Sequence, residues 1–259
     1  VLPLRDENPT SRRAVITVAL ILINIAIYFA IQFPKSSDTA EEVRFTYEYA
    51  AVPCEIRTGH PVVAVPVELP IAPNECAVPA TGIVRPQPVA PHKNVWLAIL
   101  FSMFLHGSVL HVLGNMLFLW IFGNNVEDQL GRFFFLAFYL VGGFVAAFVH
   151  IAANLDSVVP IVGASGAIAA VMGAYFVWFP TARVFTVILP FIFFVFRLPA
   201  VIVLGLWFVT QFLTQSSSGI ATLAHIGGFV FGALIALLLK PAGFPRPLVP
   251  APGHDGLRY

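Results

Sequence analysis

Six long apolar stretches, at about 14–33, 96–122, 133–153, 165–179, 199–215 and 221–239, leave little of this chain free to form anything but membrane-spanning helices. Each comes near the roughly twenty apolar residues that a helix needs to cross hydrocarbon. Apolar residues make up 58% of the 259 positions and charged residues only 10%, and the mean hydropathy is +0.87. A soluble domain carries about 25% charged residues, so the chain reads as an all-α polytopic membrane protein with six transmembrane helices. The net charge of +1 and the lack of a basic cluster point to no nucleic-acid partner.

Lysine and arginine orient the spans. Arg12 and Arg13 precede the first, and Arg132, Arg183, Arg197 and Lys240 fall on the same side, whereas the connections 154–164 and 216–220 carry neither residue type. Both termini are therefore expected to be cytoplasmic. No cleavage pattern follows the first span, which reads as a retained anchor. The expected organisation is a cytoplasmic N-terminal segment 1–13, a membrane domain 14–239 and a disordered cytoplasmic tail 240–259. Segment 34–95 is inserted between the first two spans as a large extracytoplasmic loop, and it holds Asp38, Glu41, Glu42, Glu48, Glu55, Glu68 and Glu75. It also contains both cysteines, Cys54 and Cys76. Outside the cytoplasm a disulfide between them would stabilise the loop by about 3 kcal/mol; two free thiols are the alternative. Segment 184–196 is apolar but short, contains Pro190 and is bracketed by Arg183 and Arg197, so it is expected to be a connection dipping into the cytoplasmic interface. Glu127 and Asp128 are expected to organise the turn after span two.

The fourth span runs from Ser165 to Phe179, ahead of the helix-breaking Pro180. Fifteen residues of helix measure about 22 Å against a hydrocarbon core of about 30 Å. The helix is thus expected to start below the surface, with 154–164 as a re-entrant loop facing a water-filled cavity. Ser165, in Gly163-Ala164-Ser165-Gly166, would occupy a helix N-terminus, where unpaired N–H groups favour developing negative charge.

Ser165, Ala169 and Gly173 repeat at a spacing of four and form one face of small side chains. In the sixth span His225, Gly228 and Gly232 also share a face, and Gly228 and Gly232 form a Gly-x-x-x-Gly pair that permits close helix contact. Packing these faces together would bring His225 within reach of the Ser165 hydroxyl, as a general base requires. Each motif alone also fits ordinary packing, with Ser165 as a small contact residue and His225 as an interhelical hydrogen-bonder. Span two adds His106, His111 and Asn115; the last two are four apart, so their N–H groups could converge on one carbonyl oxygen. A histidine pair also suits haem or metal, but no cysteine or carboxylate accompanies it in the spans, and neither a metal nor a cofactor is expected. The thirteen Asp and Glu residues all lie outside the expected spans. Without a carboxylate to orient His225, a Ser-His dyad replaces the three-residue triad, and Asp156 in the outer loop is the nearest exception.

Over about 96–239 the chain resembles the rhomboid intramembrane serine proteases. The resemblance rests on His-x-x-x-x-His-x-x-x-Asn in span two, Gly-x-Ser-Gly opening span four and Ala-His-x-x-Gly-x-x-x-Gly in span six. It implies a six-helix bundle with Ser165 as nucleophile, His225 as base and then acid, and His111, Asn115 and the Ser165 N–H as an oxyanion hole. It also implies a structural role for His106, and single-pass membrane proteins as substrates, cut at or near the outer membrane boundary. A catalytically silent protein that binds membrane clients is the alternative. Gly163, Gly166, Gly228 and Gly232 are expected to be structural neighbours of the site. Two features depart from the family. Leu97 and Ala98 replace a common Trp-Arg pair, and Ala169 replaces an aromatic that often stacks on the catalytic histidine. Loop 216–220 could act as a lid, and span five with Phe208 and Phe212 as a lateral gate. The expected location is a bacterial plasma membrane, with the active site opening to the outer face.

Overall fold

The computed structural model describes residues 2–64, 87–188, 194–213 and 221–245. Strand β1 (Leu2–Asp6) leads into helix α1 (Val15–Ala26), which continues through tighter and wider turns to Ser37. Helices α2 (Thr39–Tyr49) and α3 (Pro53–Thr58) and the short strands β2 (Val63–Ala64) and β3 (Gln87–Pro88) belong to the first loop. The bundle then proceeds through α4 (Leu97–Ser102), α5 (Val109–Leu130), α6 (Arg132–Ala153) and α7 (Ser165–Trp178). A hairpin of β4 (Arg183–Val187) and β5 (Val195–Pro199) precedes α8 (Ala200–Leu213) and α9 (Thr222–Leu239).

Among the described residues, four helices are long and apolar enough to cross a membrane: Val15–Ser37, Val109–Leu130, Arg132–Ala153 and Thr222–Leu239. Helices α7 and α8 are apolar but shorter, at 14 residues each. Helix α7 is the axis of the bundle, buried along nearly its whole length and packed against α5, α6, α8 and α9.

Its contact with α9 is backbone to backbone. A Cβ built on Gly232 would lie 1.8 Å from the Ala170 carbonyl oxygen, one on Gly228 2.1 Å from the Gly166 oxygen, and one on Gly173 2.1 Å from the Phe229 oxygen. No rotamer change can relieve a clash with backbone, so the helices would have to separate and lose packing along their length. Gly232→Ala is therefore expected to destabilise the protein by about 3 kcal/mol or more, measurable as a lowered thermal midpoint in detergent; an unchanged midpoint would refute this account of the interface.

Several expectations need correction. The continuous span 96–122 is interrupted: α4 ends at Ser102, and α5 starts only at Val109 because Ser108, in extended conformation, accepts the His111 N–H at 3.1 Å as an N-cap. Helix α5 also runs on to Leu130, so Glu127 and Asp128 lie within it and are buried rather than in a turn. The Glu127 carboxylate accepts from the N–H groups of Ile16 and Thr17 and from the Thr17 hydroxyl, at 2.7 to 2.9 Å. It thereby satisfies the opening turn of α1, which has no side-chain cap of its own. Asp128 accepts from Ser11. Segment 184–196 connects α7 to α8. Its described residues form the β4–β5 hairpin, with β1 added in antiparallel pairing to give the order β1-β4-β5. Residues 2–6 are correspondingly tied down, and the Phe185 ring lies between the guanidinium groups of Arg5 and Arg197, at 4.3 and 4.9 Å.

The first loop is anchored by a buried ion pair between Lys93 and Glu55; Lys93 also donates to the carbonyls of Tyr47 and Ala50. Cys54 is buried beside them in α3. Cys54 is disulfide-bonded; Cys76, its expected partner, and the possible lid 216–220 lie outside the described residues.

Asp6 joins the sheet to the bundle, accepting from the Tyr175 hydroxyl at 2.6 Å and the Asn125 side chain at 2.8 Å. Burial, partly opposed by these hydrogen bonds, raises its carboxyl from 3.8 to about 6. A carboxyl raised on folding binds its proton more tightly in the folded state. Its contribution to stability is therefore complete below about pH 4 and is lost as pH rises through about 6. Asp6→Asn should raise the thermal midpoint at pH 8 and leave it nearly unchanged at pH 4; the same change at both values would contradict the assignment.

Candidate active site

Ser165 is the first residue of α7. The Ile168 N–H donates to the Ala164 carbonyl at 3.0 Å, which puts Ser165, Gly166 and Ala167 in the opening turn, where N–H groups have no preceding helical acceptor. The chain enters this turn through Gly163, at φ +129°, a conformation that suits glycine. A Cβ there would also fall 2.9 Å from His111 Nε2 and 3.4 Å from Ser165 Oγ, so these two atoms border one small space beside Gly163.

Extensive bonding to the first loop and α4 fixes the approach to Ser165. The Gly163 N–H donates to the Ser102 carbonyl at 2.9 Å and the Ile161 N–H to the Ala51 carbonyl at 2.7 Å, while Tyr47 donates to the Val158 carbonyl. Asp156 pairs with Arg57 at 2.9 Å on the surface, which accounts for it without a role at the histidine.

From α9, His225 Nε2 lies 2.7 Å from Ser165 Oγ. Its Nδ1 is 2.8 Å from Gln211 Oε1, on α8. Sequence reasoning searched the spans for a carboxylate and missed this amide, although a Gln inside an apolar helix was the available signal. Trp207, one turn earlier on α8, places its ring 5.8 Å from the His225 ring at an angle of 38°. It supplies the aromatic neighbour that Ala169 does not. Ala169 is fully buried, near Gly228.

His111 and Asn115 lie on one face of the first turns of α5. The Gly107 N–H points at His111 Nδ1 at 3.4 Å, so in the neutral ring the hydrogen belongs on Nε2, the atom facing Gly163 and Ser165. Asn115 Nδ2 is buried with no partner among the described residues, a donor left available in the region of the site. His106 is fully buried and stands behind His111, with their rings 5.1 Å apart and edge to face. Gln32 clamps its backbone, accepting from the His106 N–H and donating to its carbonyl; this partner was also missed. Phe208 stacks on Phe229 at 4.6 Å, whereas Phe212 is exposed.

Residues 93–242, more than half of the chain, match the family model described as the rhomboid domain. The chain belongs to the rhomboid family. It is 35% identical over 147 residues to presenilin-associated rhomboid-like protein A, mitochondrial, of Danio rerio, covering 54% of this chain and 37% of that one. It is 32% identical over 141 residues to the corresponding human protein (52% and 35%) and 30% identical over 160 residues to rhomboid protein 1, mitochondrial, of Saccharomyces cerevisiae (56% and 42%). The matched stretch thus spans less than half the length of these relatives. All three are mitochondrial, which overturns the expectation of a bacterial plasma membrane and, with it, the compartments assigned to the two faces. Hydropathy and charge asymmetry read alike in many membranes, so the sequence pattern had no means of separating them.

The approach to Ser165 yields a test. Gly163→Ala combines a strained backbone with a contact on His111, and it should slow covalent labelling of Ser165 by about tenfold or more with little loss of fold. Titration with a fluorophosphonate probe reads this directly, and labelling at the wild-type rate would show that the site tolerates the side chain.

Proposed function

We propose that this protein is an intramembrane serine endopeptidase acting on single-pass membrane proteins, which it cuts at or near the membrane boundary on the side where Ser165 lies. The carrying observation is the 2.7 Å contact between Ser165 Oγ and His225 Nε2, at the N-terminus of a buried helix. In this reading α7 and α8 are the fourth and fifth of six membrane helices in a domain spanning 14–239. Helix α7, about 21 Å long, begins below one surface, with 154–164 as a re-entrant loop leading to it. The first loop, 34–95, is an insertion that braces that segment.

The chemistry follows from the ring nitrogens. His225 Nε2 takes the Ser165 proton as Oγ attacks the substrate carbonyl. The carbonyl oxygen becomes an oxyanion, held by His111 Nε2–H, the Asn115 side chain and the Ser165 N–H. His225 then returns its proton to the leaving amine, and an acyl-enzyme on Ser165 is hydrolysed by water activated at the same nitrogen. Helices α8 and α9 border the dyad, and outward movement of α8 with Phe208 and Phe212 would admit a substrate strand.

Fluorophosphonate labelling of the detergent-solubilised protein tests the reading. Wild type should react, while Ser165→Ala abolishes labelling and His225→Ala reduces it by at least a hundredfold. Folded wild-type protein that does not react would favour a silent protein that binds membrane clients.

A further inference from the structure

Gln211 is joined to the dyad by geometry that leaves little freedom. Its side chain is buried on α8, with the amide nitrogen donating to the Trp207 carbonyl at 3.0 Å and contacting Thr210 Oγ1 at 3.2 Å. A backbone carbonyl can only accept, so the amide nitrogen must face Trp207 and Oε1 must face away from it. That oxygen is 2.8 Å from His225 Nδ1. An amide oxygen can also only accept, so Nδ1 must carry the ring hydrogen. In the neutral imidazole this leaves the lone pair on Nε2, the nitrogen beside Ser165 Oγ.

We propose that Gln211 is a positioning residue for His225, selecting the Nδ1–H tautomer and holding the ring so that Nε2 is ready to accept the Ser165 proton. The proposal rests on the protease reading above. Gln211 performs the orienting part that a carboxylate performs in a Ser-His-Asp triad, but with a neutral oxygen suited to the inside of a membrane. When Nε2 gains the serine proton, the imidazolium formed keeps its Nδ1–H bond to Oε1. Trp207 contributes twice, through the carbonyl that orients the amide and through the ring beside His225. The other titratable groups acting on His225 are His111 on α5 and His150 on α6. Neither is among its hydrogen-bond partners, which in the described residues are Ser165 and Gln211.

The test compares Gln211→Leu, which keeps the volume and removes the acceptor, with Gln211→Glu, which restores an oxygen at the same reach. Saturable labelling by a fluorophosphonate probe separates its binding from its reaction with Ser165. In the leucine variant the maximal labelling rate should fall about ten- to a hundredfold, part of the hundredfold or more attributable to general base catalysis. Probe affinity should stay within about twofold and the thermal midpoint should hold, and the glutamate variant should recover most of the rate. A leucine variant that labels like wild type overturns the proposal, as does a loss of rate accompanied by loss of fold in both variants. The tautomer is a separate readout that needs no activity. In histidine 15N spectra the signal absent from His225→Ala should be of the Nδ1–H form in wild type and shift toward Nε2–H in Gln211→Leu; an Nε2–H form in wild type overturns the assignment even if Ser165 never reacts.

Discussion

The approach of α7 to α9 is the constraint on which the rest of the molecule depends. Glycines at 173, 228 and 232 let each helix touch the other's carbonyl groups, and in a bilayer such van der Waals fit has to do much of the work that water does for a soluble core. The same contact sets the distance between Ser165, at the start of α7, and His225, in the first turn of α9. Stability and the geometry of the Ser165–His225 pair thus share one interface. A change that opens the packing by a fraction of an ångström also lengthens the contact between hydroxyl and imidazole.

Polar groups are concentrated at the two ends of this apolar contact. At the Ser165 end they are neutral: His225, Gln211, His111 and Asn115. At the other end of α5 and α7 they include the carboxylates of Asp6, Glu127 and Asp128, each holding donors from distant parts of the chain. The separation is about 24 Å along α5 from His111 to Glu127, so these acids pin α1 and the sheet without reaching the histidine. A neutral site in a low-dielectric setting avoids the desolvation cost that a buried carboxylate partner would impose.

Most of the site was legible in the sequence because its parts are periodic. His225, Gly228 and Gly232 share a helical face, Ser165, Ala169 and Gly173 share another, and small residues in register announce close packing. What escaped reading depends on contacts between segments remote in the chain. The Gln211 amide and the Trp207 ring meet His225 only because α8 folds against α9, and the Gln32 clamp on His106 joins residues 74 positions apart. The interrupted second span was obscured because Phe104 and Leu105 are as apolar as a helix, whereas the Ser108 cap that starts α5 is a single hydroxyl. The strands within the connection 183–199 went unread for a related reason: a short apolar run does not declare whether it is helix or strand, and the partner strand is at Leu2–Asp6.

That partner strand has a further consequence. In the order β1-β4-β5, strand β4 is the central member and owes one of its two ladders to five residues near the start of the described chain. Removing β1, by cleavage or by a competing interaction, would turn β4 from an interior strand into an open edge. An open edge accepts any extended peptide of suitable pattern. The far end of the bundle from Ser165 would then become adhesive, while the pairing of serine and histidine, held by α7 and α9, would be left in place.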